Sequence, residues 1–200
     1  MPRKRRPEPS EAIHWIRDPA TIELLASPLR QQLLDRLEAE GPCSVRELAD
    51  ALGRRPDALY YHVKLLIDHG LLEEVEQRAT GTSPESVYDL CHRRWHIAYE
   101  PDDPQNAAAL AKITKHMLRA AGGDFAAGLA HPEARGSGPA RNLWSLRLEA
   151  HLDAIEQREL ARHLEAIVAL LRKPKRDHRG QLTALTWILA PVNDPSPRDE

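Results

Sequence analysis

The stretch from Ser44 to His69 constrains this chain more than any other. Ser44 followed by Glu47 is a capping box, because each side chain can satisfy an amide that the other's backbone leaves open. Val45, Leu48, Ala49 and Leu52 then lie on one helical face, and Gly53 ends the helix. Arg54 and Arg55 lead to Pro56, whose fixed φ suits a first helical position, and a second helix is predicted over about 56–69 with Gly70 behind it. In that helix Leu59, Val63 and Leu66 recur at i, i+4 and i+7. Two such helices joined by a tight turn, the second keeping a polar face outward, form a helix-turn-helix.

The flanks extend the pattern. Asp18-Pro19 and Ser27-Pro28 each read as a cap followed by a first helical proline. The helix after Ser27 carries Leu29, Leu33, Leu34 and Leu37 on one face and ends at Gly41-Pro42. Downstream, Leu71–Val75 and Ser86–Leu90 read as strands separated by the turn-rich Thr80–Pro84, a hairpin wing over about 72–90. Residues 11–100 are thus expected to form a winged helix-turn-helix, preceded by a disordered basic tail at 1–10.

The outward face of the helix over 56–69 carries Asp57, Tyr60, Tyr61 and Lys64. Tyrosine hydroxyls can bond phosphates or base edges, and their rings can touch thymine methyls in a major groove. The same tyrosines could instead pack against neighbouring elements. Arg54 and Arg55 precede the helix and would meet the groove wall, while Lys64 suits a phosphate. His62 either contacts a phosphate or packs beside Leu59. The N-terminal Arg3-Lys4-Arg5-Arg6 reads equally as an arm along DNA or as a solvated tail.

Bulk charge gives this reading no help. The 200-residue chain carries a net charge of −2, so phosphate neutralisation has to come from local placement of its cations. A membrane protein and a secreted one are both unexpected, since no apolar run approaches the ~20 residues of a span and Pro7-Glu8-Pro9 follows the basic N-terminus. Two cysteines, Cys43 and Cys91, give no CxxC spacing, so a disulfide framework is not indicated and a reducing cytoplasm is the expected setting. Cys91-His92 with His96 lacks the spacing of a tetrahedral metal site. No catalytic motif is present, and Glu149, Asp153, Glu156 and Glu159 fit a solvated helix face. Neither an enzyme nor a cofactor is expected.

The segments Ser27-Pro28-Leu29-Arg30, Ser44-Val45-Arg46-Glu47-Leu48-Ala49, Leu59-Tyr60-Tyr61-His62-Val63-Lys64-Leu65-Leu66 and Gly70-Leu71-Leu72 resemble the ArsR-type winged helix-turn-helix regulators over about residues 19–90. The resemblance implies a dimeric bacterial repressor or activator whose fourth helix enters the major groove. It also implies a wing that brings Arg78 near the DNA backbone or minor groove. Metal-sensing members carry Cys-x-Cys on the helix before the recognition helix. Here that helix reads Arg46-Glu47-Leu48-Ala49-Asp50, with Cys43 just outside it, so metal sensing is not implied.

The second half, 101–190, is expected to be a small α+β domain, with a tail at 191–200. A helix is predicted from Pro104 to about Ala120, broken or bent at Gly122-Gly123. Trp144, Leu146, Leu148 and Ala150 alternate with polar residues, the period of a strand. A capping box at Asp153–Glu156 opens a long amphipathic helix to Lys173, and Leu182–Leu189 reads as a final strand. The expected class is mainly α with small β, a winged helix-turn-helix plus a C-terminal α+β domain. The expected function is sequence-specific regulation of transcription on double-stranded DNA by a homodimer. The alternative is a winged-helix protein-interaction module. The second half would dimerise, sense a small-molecule effector, or do both. The competing placement of the dimer contact is on the first helices near Ile13, Trp15 and Ile22.

Overall fold

Capping chemistry sets where most helices of this protein begin. The computed structural model describes residues 13–80, 83–172 and 180–193; the basic run Arg3–Arg6 and the end of the C-terminal tail lie outside them. Helix α1 (Pro19–Leu25) starts at Asp18, whose carboxylate accepts the Thr21 amide at 2.8 Å. Helix α2 is Pro28–Glu40. After strand β2 (Cys43–Ser44), helix α3 (Val45–Leu52) opens on the full capping box, Ser44 N–H to Glu47 at 2.7 Å and Glu47 N–H to Ser44 at 3.2 Å. Gly53 closes α3 at φ +61°, a left-handed conformation that costs glycine nothing and a branched residue dearly. Helix α4 spans Asp57–Asp68.

The four helices bury one shared core. Ile22, Leu25, Leu33, Leu37, Leu48, Leu59 and Leu66 are essentially water-free, joined by Leu72 at the foot of the wing. Each such side chain contributes about 1.5–3 kcal/mol relative to exposure. A polar tie adds direction to this packing. The buried Thr21 hydroxyl lies 2.7 Å from Asp18 Oδ2 and 2.9 Å from Nδ1 of His69, the C-cap of α4.

The wing is longer than the sequence pattern suggests. Strands β3 (Leu72–Thr80) and β4 (Ser83–Leu90) pair antiparallel over their whole length, so residues 76–80 and 83–85 belong to strands and not to a loop. Pro84 is tolerated because β2 pairs only with Val87 and Tyr88 of β4, leaving the outer end of β4 with a single neighbour. A register shift between Glu74 and Glu76 leaves Val75 as a bulge. A second, two-stranded sheet pairs β1 (His14–Ile16) in parallel with β5 (Trp95–Ile97). Ile13 and Trp15 therefore belong to a strand region and not to a first helix. Three-residue strands carry no periodicity to read, and their partners lie far apart in sequence.

Beyond β5 the described residues form two helices joined by non-helical chain and no strand, and mainly helical with small sheets is the class overall. Helix α5 (Pro104–Leu129) runs unbroken through Gly122-Gly123. Glycine costs a helix about 1 kcal/mol but does not forbid it, and the alanine-rich flanks carry the helix past the pair. Helix α6 (Ala154–Leu171) opens on the expected box, with Asp153 and Glu156 each accepting the other's amide at 2.8–2.9 Å. The strands expected over Trp144–Ala150 and Leu182–Leu189 do not form: neither segment joins a ladder among the described residues. An alternating pattern makes one face apolar, but a strand exists only when another strand takes its hydrogen bonds. By contacts the chain divides into two units, residues 1–116 with 146–182, and residues 117–145 with 183–200.

Candidate nucleic-acid interface

Helix α4 has two distinct faces. Leu59, Val63 and Leu66 seal the inner one against the core. On the outer one Tyr60 and Tyr61 are 59% and 67% exposed, so neither packs into a neighbouring element. Lys64 follows one turn on, also exposed, and Arg54 and Arg55 lead into the helix from the turn. Arg54 N–H to Ala49 O at 2.9 Å closes the end of α3, and Leu59 N–H to Pro56 O at 2.9 Å opens the first turn of α4.

The cations here stand beside carboxylates. Arg55 grips Asp57 with two bonds, 2.9 and 3.2 Å, and Lys64 Nζ reaches both Asp68 oxygens at 2.8 and 2.9 Å. All four side chains are largely exposed. Exposed pairs of this kind are worth about 0–1 kcal/mol, so a phosphate can displace the carboxylate at little cost. Arg78, the only basic residue of β3, lies 2.7 Å from Glu47 and 3.8 Å from Glu76. It ties the wing to α3, while Glu73 and Glu74 make the base of the wing acidic.

His62 turns away from the outer face. It is half-buried, and its Nδ1 has no hydrogen-bond partner among the described residues. Burial, then the positive charges of Arg30 and Arg54, hold its pKa below the usual 6.5. Two residues here escaped the sequence reading. Arg30 on α2 donates to Leu24 O at 2.5 Å and lies within electrostatic reach of Tyr61 and His62. Arg46 on α3 is exposed, 3.9 Å from Glu85 of the wing. Their positions inside Ser27–Arg30 and Ser44–Ala49 were the available signal, Arg30 in the first turn of α2 and Arg46 in the first turn of α3.

A pH effect follows. Burial also lowers the pKa of His14 and His96, in His14 with help from His92, whose ring stacks on it at 4.0 Å. The unfolded chain takes up these protons near pH 6.5, whereas the folded chain resists them to lower pH. Stability from these histidines is therefore full above about pH 6.5 and declines as the pH falls toward their folded values. Glu38, pushed up chiefly by burial, acts in the opposite sense. The clean measurement is a difference: urea midpoints at pH 7.5 and 5.5 should lie closer together in His62→Gln than in the wild type. Equal spacing would show that His62 is not the responsible group.

Elsewhere, no three His, Cys, Asp or Glu side chains come together as metal ligands among the described residues. No described helix is long and apolar enough to cross a membrane. A cleft of about 520 Å³ lies between α1 and the start of α5, lined by Ile22, Ala108 and Ala109 together with the paired Glu23 and Lys112.

None of the curated proteins matches this sequence. Among solved structures the chain is similar to RV1404 from Mycobacterium tuberculosis, at 17% identity and a TM-score of 0.26, with 76% of this chain and 83% of that one covered. It is also similar to a mutant of Lactococcus lactis ZitR in apo form, at 14% identity and a TM-score of 0.26, covering 76% and 86%. Likenesses of that size leave the functional reading to the residues themselves. Residues 25–75, from the end of α1 into β3, match the family model of a helix-turn-helix domain.

Proposed function

We propose that the protein is a sequence-specific DNA-binding regulator of transcription, of the ArsR-like winged type, acting as a homodimer on double-stranded DNA. The observation that carries this is the outer face of α4. Tyr60 and Tyr61 stand in solvent on a helix whose other side is fully sealed, with Arg54, Arg55 and Lys64 around them. In this reading α4 enters the major groove, Tyr60, Tyr61 and Arg55 read bases, and Arg54 and Lys64 hold phosphates. Asp57 and His62 flank the contact, and Arg78 aligns the wing. The first hundred residues read DNA and the second half supplies dimerisation.

The rival reading, a protein-interaction module, draws support from the carboxylates set beside Arg55, Lys64 and Arg78 and from the acidic wing base. One experiment separates them. Purified protein is titrated against fragments of its own upstream region and against random DNA at several salt concentrations. Regulation by direct binding requires a preferred fragment and an affinity that falls steeply with salt. An absence of preference at every salt concentration would leave the protein-interaction module standing. Within the same assay, Lys64→Ala should weaken all sequences alike and lower the salt slope by about one, because a phosphate contact carries no base information. A changed sequence preference in Lys64→Ala would remove the phosphate assignment.

A further inference from the structure

We propose that residues 144–152 pair antiparallel with the same residues of a second copy, across a two-fold axis at Leu148. This deepens the homodimer reading above and rests on it. The segment has a largely exposed apolar face, on which the Arg141 guanidinium stacks 3.1 Å from the centre of the Trp144 ring. Trp144, Leu146, Leu148, Ala150 and Leu152 occupy every second position, and Asp153 then ends the run by capping α6. In the structure Trp144, Leu146 and Leu148 are 60%, 64% and 78% exposed, and no ladder forms along the segment.

The occupant follows from self-complementarity. A strand that meets its own copy across a two-fold axis does so antiparallel, and the register is set by the residue on the axis. With Arg147 on the axis, two guanidinium groups face each other, which is unfavourable. With Leu146 there, Arg147 faces Ser145, and Ala150 and Leu152 run past the apolar face. With Leu148 there, all five apolar positions find apolar partners: Trp144 meets the partner subunit's Leu152, Leu146 meets the partner subunit's Ala150, and Leu148 meets itself. The other face then sets Arg147 against the partner subunit's Glu149, twice by symmetry. These two residues already pair within one chain, so association exchanges the two intrachain ion pairs for two across the interface, which fixes the register without adding an ion pair. A two-stranded ribbon is marginal alone. Helix α6 starts directly behind it and leaves Ile155, Leu170 and Leu171 exposed, so each copy brings more apolar area than the strand itself. A standard interface buries roughly 800 Å² per partner, so α6 has to contribute beside the ribbon.

The test uses the full chain with single substitutions Leu148→Cys and Leu146→Cys, mild oxidation, and non-reducing gels, with the wild type reporting any background from Cys43 and Cys91. Leu148→Cys should form a covalent dimer, since facing residues of an antiparallel pair lie about 4.5–5.5 Å apart, within disulfide range. Leu146→Cys should not, because its counterpart is four residues along, roughly 13 Å away. Arg147→Glu should weaken dimerisation roughly tenfold, and Arg147→Glu with Glu149→Arg should restore it. A monomer by light scattering overturns the proposal. So does a dimer in which Leu148→Cys stays uncrosslinked, as when Leu182–Leu189 fills the edge, or in which Leu146→Cys crosslinks instead. Operator binding is measured separately: a chain that binds its operator but fails these tests keeps the DNA reading and loses only this interface.

Discussion

Replacing Arg93 by alanine should cost the folded protein about 3 kcal/mol, the largest loss expected from any single polar substitution here. Asp89, in β4, has no exposed surface. It accepts the Leu90 amide at 2.8 Å and the Arg93 guanidinium at 2.9 and 3.2 Å. Removing the guanidinium takes two charge-assisted hydrogen bonds from a buried carboxylate, a change that costs about 3–5 kcal/mol when both partners are buried. Arg93 is 34% exposed, so water entering the vacated space offsets part of the loss and favours the low end. Urea denaturation at pH 7.5 reads the difference, with Arg162→Ala on exposed α6 as the control expected within about 0.5 kcal/mol. A loss below about 1 kcal/mol for Arg93→Ala would mean that Asp89 is satisfied without it.

On the operator, Tyr60→Ala and Arg55→Ala should each cost about 1–3 kcal/mol, a loss of roughly 5- to 150-fold, with little change on random DNA. The asymmetry is the point of the measurement. A side chain that reads a base edge contributes only where that base is present, whereas one that touches a phosphate contributes everywhere. Both substitutions fall on exposed positions, so neither should disturb the core that holds α4 in place. Circular dichroism and the urea midpoint check that. Equal losses on both DNAs would strip Tyr60 and Arg55 of the reading role and leave only general affinity.

The helices were legible because their signals are local. Asp18 with Pro19, Ser44 with Glu47 and Asp153 with Glu156 each fix a helix start within four residues, and the structure uses all three. The inner stripe of α4 was equally plain, since Leu59, Val63 and Leu66 need only one helix to be read. What failed was long-range. The parallel pairing of His14–Ile16 with Trp95–Ile97 joins segments about eighty residues apart. The alternation at Trp144–Leu152 stated which face is apolar but not whether one chain contains a strand to pair with it. Gly122-Gly123 looked like a break because propensity is judged residue by residue, while a helix of 26 residues averages the cost of two glycines over many good formers. Around α4, sequence placed the cations and Asp57 but not the ion pairs they form: Asp57 and Asp68 lie within about one turn of Arg55 and Lys64, whereas Glu47 meets Arg78 only through the fold.

The tie between α1 and α4 has a polarity of its own. The Asp18 carboxyl is held below its usual pKa, chiefly by the Thr21 hydroxyl, so it is ionised near neutrality and can only accept. The Thr21 proton is therefore committed to Asp18, which leaves the Thr21 oxygen to accept from His69. In neutral His69 the proton must then sit on Nδ1, and the free lone pair on Nε2. A ring constrained in this way at the end of α4 behaves as a keyed latch: it engages α1 in one tautomer and one orientation, and a sideways shift of α1 would carry the end of α4 with it.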